Sequence, residues 1–257
     1  MHNPYINTAF KAARSAGKII VKSLEKLDKI EIIEKNFSDY VTEVDKQSEK
    51  EIIAILQKSY PDYAILGEEQ GSTGDNDYIW IIDPLDGTHN FIHGYPHFCI
   101  SIALKYKNKI EHGLVYDPLR QEVFYASRGR GAFLNDKRIR VGTKTKLEGT
   151  LIGVAFAPNS HDYLERHLKN IEKIYAFTSG IRKSGSAALD CCYTASGRLD
   201  GVVFYNLKPW DLAAGTLIIK EAGGIVCDID GTENYMESGN VVAGNPKILK
   251  TLLQTTI

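Results

Sequence analysis

Apolar residues near the start of the chain recur in steps of three and four. Ile6, Phe10, Ala13, Gly17, Ile20, Val21 and Leu24 therefore fall on one face of a predicted helix. A second helix is predicted from about Asp45 to Lys58. Thr42 and Asp45 have the spacing of a capping box, Ile52, Ile53 and Leu56 form its stripe, and Pro61 lies beyond its end. The period then changes. Tyr78-Ile79-Trp80-Ile81-Ile82 is short, β-branched and aromatic, as a buried strand requires. Cys99 to Tyr106, Lys109 to Tyr116 and Glu122 to Ala126 follow as strands joined by turns, which predicts an antiparallel sheet. From Leu151 onward the pattern alternates. Leu151–Phe156, Ile174–Phe177, Gly201–Phe204, Gly224–Cys227 and Asn240–Ala243 read as strands. Helices are expected between them near Leu164–Lys173, Ser186–Ser196 and Asp211–Ala222. Alternation of this kind predicts an α/β half with a mainly parallel sheet. The polar stretch Thr143 to Lys146 marks the boundary, giving an α+β half over residues 1–145 and an α/β half over 146–257 that share an interface.

Composition narrows the function classes. With 257 residues, 43% hydrophobic and 25% charged, the chain can build a full core and is not a disordered polymer. The longest run free of charged residues, Gly87 to Leu104, contains His89, Asn90, His93 and His97, too polar for a bilayer span. A net charge of -1 gives no global attraction to nucleic acid or membranes. Four cysteines, two of them adjacent, form neither a disulfide framework nor a zinc spacing. The opening residues lack the order of a signal peptide, so a cytoplasmic protein is expected.

Acids at the ends of predicted strands carry the candidate chemistry. In Trp80-Ile-Ile-Asp83-Pro-Leu-Asp86-Gly-Thr88, two carboxylates and a hydroxyl follow an apolar strand. Such a pair can hold a hard divalent cation, although Asp, Pro and Gly also make ordinary turns. Glu68-Glu69 follows Ala64-Ile65-Leu66, and Asp211 precedes an apolar helical run that it could simply cap. Lys35, Asp39, Thr42 and Asp45 form a fourth polar cluster, which could be only a loop. Convergence of these clusters would supply a site for two or three metal ions.

Three separated motifs then resemble the inositol monophosphatase family of lithium-sensitive, magnesium-dependent sugar phosphatases. They are Glu68-Glu69, Asp83-Pro-Leu-Asp86-Gly-Thr88-His-Asn-Phe91, and Trp210-Asp211-Leu-Ala-Ala-Gly215 with Glu221-Ala-Gly-Gly224. Asp39–Asp45 and Gly185–Asp190 fall in the family's order. Val115–Arg120, Arg128–Gly131 and Lys208–Asp211 are similar to the bacterial SuhB-type branch. The resemblance implies a layered α-β-α-β-α fold with an antiparallel N-terminal sheet and a mainly parallel C-terminal sheet, usually as a homodimer. It implies that Glu68, Asp83 and the Leu85 carbonyl hold one Mg2+, and that Asp83, Asp86 and Asp211 hold a second. Glu68 would help with a weaker third, with Glu69 nearby. Asp45 and Thr88 would orient the attacking water, with Glu68 in the catalytic set. The N–H groups of Gly87 and Thr88 would face phosphate, with Lys35 complementing its charge. Gly185, Ser186, Ala187, Phe204 and Asp211 would line the substrate pocket. Inositol 1-phosphate is the first candidate substrate, with fructose 1,6-bisphosphate and 3'-phosphoadenosine 5'-phosphate as alternatives. Phe204 stands where inositol-binding members carry a Glu, and a phenyl ring accepts no hydrogen bond, so a permissive site is expected. Asn206 replaces a usual Gly, and His89 a commoner Thr.

Other readings fit less well. Asp83 and Asp86 are one residue too far apart for an aspartyl-phosphate motif. Gly94 and Pro96 argue against a zinc helix at His93 and His97, which are expected to be satisfied structural histidines. Asp228-Ile-Asp230-Gly231 does not continue into a calcium loop. Seven bases and one acid lie between Arg128 and Lys146, giving +6 in an otherwise balanced chain. A charged edge strand explains this, and so does a surface for RNA or a protein. Members of the SuhB-type branch also act in ribosomal RNA transcription antitermination, which implies transcription-factor or RNA polymerase partners.

Overall fold

The helix Pro4–Leu24 begins where the sequence caps it. Asn3 Oδ1 accepts from the N–H groups of Tyr5 at 2.9 Å and Ile6 at 3.3 Å, and Pro4 occupies the first turn, where no N–H is needed. The helix Glu43–Ser59 carries the expected capping box, with Thr42 and Asp45 satisfying one another's end of the chain. The computed structural model describes residues 3–27, 32–36, 39–157 and 164–256, without the side chains of residues 32–36, 39–41, 164, 166 and 256. Both helices pack through Ile6, Ala9, Ala13, Ile20, Ile52 and Leu56 onto one face of an eight-stranded sheet.

That sheet runs in the order Lys137–Arg138, Gly131–Leu134, Glu122–Ser127, Lys109–Asp117, Cys99–Tyr106, Tyr78–Asp86, Ala64–Gly67, Gly71–Thr73. All its neighbours are antiparallel except Ala64–Gly67 with Tyr78–Asp86. The second sheet has the order Gly180–Arg182, Leu151–Phe156, Gly201–Tyr205, Val241–Gly244, Ile225–Cys227. Val241–Gly244 is antiparallel to both neighbours, and the other four strands point the same way. The expected contrast between the sheets therefore holds.

Between the sheets lie the helices Ala187–Ala195 and Pro209–Glu221. Leu212 to Ile219 are buried without interruption, because a helix covered on both sides has no polar face. The helices Leu164–Phe177 and Pro246–Thr256 cover the outer face of the second sheet. The layering is thus helix, sheet, helix, sheet, helix. The junction placed at 145/146 falls between the last strand of the first sheet and the first strand of the second.

One expectation fails. Ile174–Phe177 is the end of a helix, not a strand: Ile174 is buried while Tyr175 and Phe177 are exposed, so the helical stripe continues past Lys173. The β-branched and aromatic run imitated a strand, and the strand itself follows at Gly180–Arg182. The basic segment does form the sheet edge, at Gly131–Leu134 and Lys137–Arg138. There Arg128 pairs with Glu111 at 3.1 Å, and Lys144 with Asp200 at 3.1 Å. Glu221 closes this region by accepting from Gly129 N and Gly131 N, each at 2.7 Å.

The two middle helices cross at Gly215, where a Cβ would fall 2.5 Å from Cys191 Cβ. Gly215→Ala forces those backbones apart and should cost about 1–3 kcal/mol. Urea unfolding should show a lower midpoint with an unchanged slope. An unaltered midpoint would show that the crossing tolerates a methyl group.

Candidate active site

Residues three apart on a regular strand face opposite ways. Asp83 and Asp86 are three apart, yet they meet. Asp83 lies opposite Ser101 and Asp86 opposite Cys99, so one extra residue is inserted into the Tyr78–Asp86 strand. That irregularity, at Pro84 and Leu85, brings both carboxylates to one side. Asp211 joins them from the first turn of the helix Pro209–Glu221, and the three offer ligand oxygens within 4.8 Å of one another. Asp211 does not cap its helix from outside, as the sequence allowed. It sits inside the first turn and accepts from Lys208 N at 2.8 Å.

Each acid is anchored by N–H groups. Asp83 Oδ1 accepts from Leu85 N at 3.0 Å. Asp86 accepts from Ser186 Oγ at 2.6 Å, Ala188 N at 2.8 Å and Ala187 N at 3.3 Å, at the N-terminal end of the middle helix Ala187–Ala195. Burial raises the pKa of Asp83 well above the usual carboxylate range, and the charges of Glu68, Asp86 and Asp211 raise it further. Asp83 also shares hydrogen bonds with Glu68 and Asp211. Burial, then Asp86, pushes Asp211 up to about 7. Burial raises Asp86 too, while its donors hold it down. Carboxyls this close cannot all ionise unless a cation balances them. A purely oxygen donor set suits a hard divalent ion such as Mg2+, so the residues present fit the implied metal.

Thr88 begins the short helix Thr88–Ile92, immediately after Gly87. Gly87 has φ 100°, and a Cβ there would lie 3.0 Å from the His97 carbonyl, so no other residue fits. Thr88 Oγ1 lies 2.7 Å from Asp45 Oδ1 and 3.0 Å from the Leu85 carbonyl. Asp45 Oδ2 accepts from Thr42 N at 2.8 Å and Thr42 Oγ1 at 2.5 Å. Burial raises Asp45, and those donors oppose the rise.

The acids border a cavity of about 560 Å³. Of the expected residues, Glu68, Asp83, Leu85, Asp86, Gly87, Thr88, Gly185, Ser186, Ala187 and Asp211 line it. Asp45 reaches it through Thr88, and Glu69 is not in its wall. The side chain of Lys35 lies outside the described residues. Phe204 is a correction. It is fully buried on the inner face of its strand among the middle helices, and Asn206 and Lys208 take the wall position expected of it. The histidines also differ from expectation. His93 is exposed, with Nε2 3.1 Å from His89 Nε2, while buried His97 has an Nε2 without a protein partner.

Three contributors were missed. Lys183 and Lys208 line the cavity mouth, and Lys183 Nζ stands 4.7 Å from the centre of the Phe156 ring. Glu49, fully buried, accepts from Glu69 N at 2.9 Å and Gln70 N at 2.8 Å, and so fixes the turn that presents Glu68. An acid on the inward stripe between Asp45 and Ile52 was the available signal.

Residues 1–257 match the family model described as the inositol monophosphatase family. The chain belongs to the inositol monophosphatase family. Within it, the chain is 51% identical to the Nus factor SuhB of Pseudomonas aeruginosa, over 98% of this chain and 95% of that one. The crystal structure of extragenic suppressor protein suhB from Bartonella henselae superposes with a TM-score of 0.96 at 38% identity, covering 99% and 98% of the two chains. The Thermotoga maritima IMPase gives 0.89 at 36%, covering 99% and 97%. Among the described residues, no helix is long and apolar enough to cross a membrane.

The family fold also buries Asp190, whose carboxylate accepts from Ser184 Oγ and has Oδ2 without a hydrogen-bond partner. Burial is the main cause that pushes it up to about 7 from 3.8. The folded chain thus keeps a proton that the unfolded chain releases above about pH 3.8. The resulting stability is fully present below that pH and is lost as pH rises through 7. Asp190→Asn removes the titration and keeps an acceptor for Ser184. Between pH 4 and 8, thermal unfolding should show the wild type losing up to roughly 4 kcal/mol relative to the variant. Parallel stability curves would refute the shift.

Proposed function

We propose that this chain hydrolyses a small phosphate monoester, inositol 1-phosphate foremost, to the alcohol and inorganic phosphate in a magnesium-dependent reaction. The observation that carries this reading is the meeting of Asp83, Asp86 and Asp211 beside the Gly87–Thr88 helix start. In this reading Glu68, Asp83 and the Leu85 carbonyl hold one Mg2+, Asp83, Asp86 and Asp211 a second, and Glu68 supports a weaker third. When bound, the ions supply charge neutralisation at the phosphate and an acidified water. Residues 1–145 carry most of this site, and residues 146–257 supply the leaving-group pocket and Asp211.

The chain's own groups do the rest. Thr88 has one hydroxyl proton; given to Asp45 Oδ1, 2.7 Å away, it leaves the Thr88 oxygen lone pairs to accept from the attacking water. In this reading the N–H groups of Gly87 and Thr88, at the helix start, donate to phosphate oxygens. Gly185, Ser186 and Ala187 border the space for the departing alcohol. The cations Lys183 and Lys208 at the mouth favour a second anionic group, so fructose 1,6-bisphosphate and 3'-phosphoadenosine 5'-phosphate belong in the substrate panel beside inositol 1-phosphate and glycerol 2-phosphate.

A second role is favoured by the name Nus factor carried by a relative 51% identical to this chain. We propose that a cytoplasmic homodimer also meets transcription-factor or RNA polymerase partners, with the exposed basic edge from Arg128 to Lys146 as the candidate surface.

Asp83→Asn should lower magnesium-dependent turnover at least 100-fold on every substrate, with the circular dichroism spectrum unchanged. Near-full activity would refute the site. Lithium should inhibit the wild type, and insensitivity at saturating Mg2+ would argue for a different metal arrangement. If Asp83→Asn keeps partner binding while losing hydrolysis, the two roles are separable.

A further inference from the structure

Asn90 has no task in the chemistry above, yet it spans the site. Its side-chain amide donates two hydrogen bonds, to the His97 carbonyl at 2.6 Å and to the Ser184 carbonyl at 2.8 Å. An amide NH2 has two hydrogens, so both are committed. The partners stand 7 and 94 positions away along the chain. Asn90 thereby ties the short helix Thr88–Ile92, which presents Gly87 and Thr88, to the turn Ser184–Gly185–Ser186 of the other half.

That turn is held on its far side as well. Ser184 Oγ donates to the Asp190 carboxylate, and Ser186 Oγ donates to Asp86 at 2.6 Å. Asp190 in its own half and Asp86 in the other thus hold its two hydroxyls, while Asn90 holds its backbone at the Ser184 carbonyl. Ser184, Gly185 and Asn90 all line the cavity.

We propose that Asn90 is a positioning residue for the leaving group. It holds the Ser184–Ser186 turn in register with the Gly87–Thr88 phosphate cradle, so that an alcohol resting on the turn is aligned for departure. This inference rests on the phosphatase reading. Misplacement of a reacting group by about 1 Å can cost on the order of 100-fold in rate. The loss should depend on how much the leaving group needs the turn. A polyol alkoxide must be oriented and protonated as it leaves, whereas p-nitrophenolate leaves unaided.

The test compares kcat/KM of the wild type, Asn90→Ala and Asn90→Asp at saturating Mg2+. The substrates are p-nitrophenyl phosphate and whichever polyol phosphate the wild type turns over fastest. Asn90→Asp keeps the side-chain shape but lacks both donors. Its added charge weakens phosphate binding for both substrates alike, so the ratio between substrates is what is read. Both variants should lose at least 10-fold more on the polyol phosphate than on p-nitrophenyl phosphate, with cooperative thermal unfolding retained. Equal losses on the two substrates, or none, would overturn the inference while leaving the phosphatase reading in place. So would failure of both variants to fold, which makes the amide purely structural. A wild type inactive on every phosphate would overturn the phosphatase reading, and the inference with it.

Discussion

Mutual repulsion among crowded carboxylates is the constraint around which this molecule is arranged. Asp83, Asp86 and Asp211 bring their oxygens within 4.8 Å of one another, with Glu68 hydrogen-bonded to Asp83. Left to themselves, such groups would separate or take up protons. The fold prevents separation by anchoring each one to a different backbone segment: Leu85 N for Asp83, the Ser186–Ala188 helix start for Asp86, and Lys208 N for Asp211. What geometry cannot remove is the charge. A divalent cation would neutralise it, and the same charge would draw one to the site.

The layered architecture follows from that need. Two anchors belong to the middle helices, which are buried between the sheets, so they move only if both cores move. The third belongs to an irregular strand end in the first sheet. In the proposed reading, substrate chemistry takes place beside these acids, and variation in the outer wall at Lys183, Asn206 and Lys208 changes the alcohol without disturbing them. The basic edge from Arg128 to Lys146 belongs to the far end of the first sheet, which leaves it available for a separate role.

The sequence showed more of the site than of its walls. Acids at the ends of apolar runs were visible because a strand's termination is a local signal, and the capping box at Thr42 and Asp45 was equally local. That Asp83 and Asp86 share a side was not visible, since it depends on an inserted residue whose effect appears only against the neighbouring strand. Phe204 was misplaced for a related reason. Counting back from Asp211 gives a position along the chain, but strand alternation decides the face, and Phe204 faces the middle helices. Ile174–Phe177 imitated a strand because β-branched and aromatic residues also end an amphipathic helix. Glu49 and Asn90 act through backbone groups 20 and 94 residues away, and no spacing rule reaches that far.

The most direct measurement is calorimetric titration of Mg2+ into the metal-free protein at pH 6.5, in two buffers of different ionisation enthalpy. Carboxyls that share protons at this pH must release them when a cation takes their place. The difference in heat should correspond to a net release of protons on binding, and that release should shrink as pH rises through 7, where Asp211 gives up its proton without the cation. Saturable binding with a heat independent of buffer would contradict a site built on shared protons. Absence of binding would contradict the metal site itself.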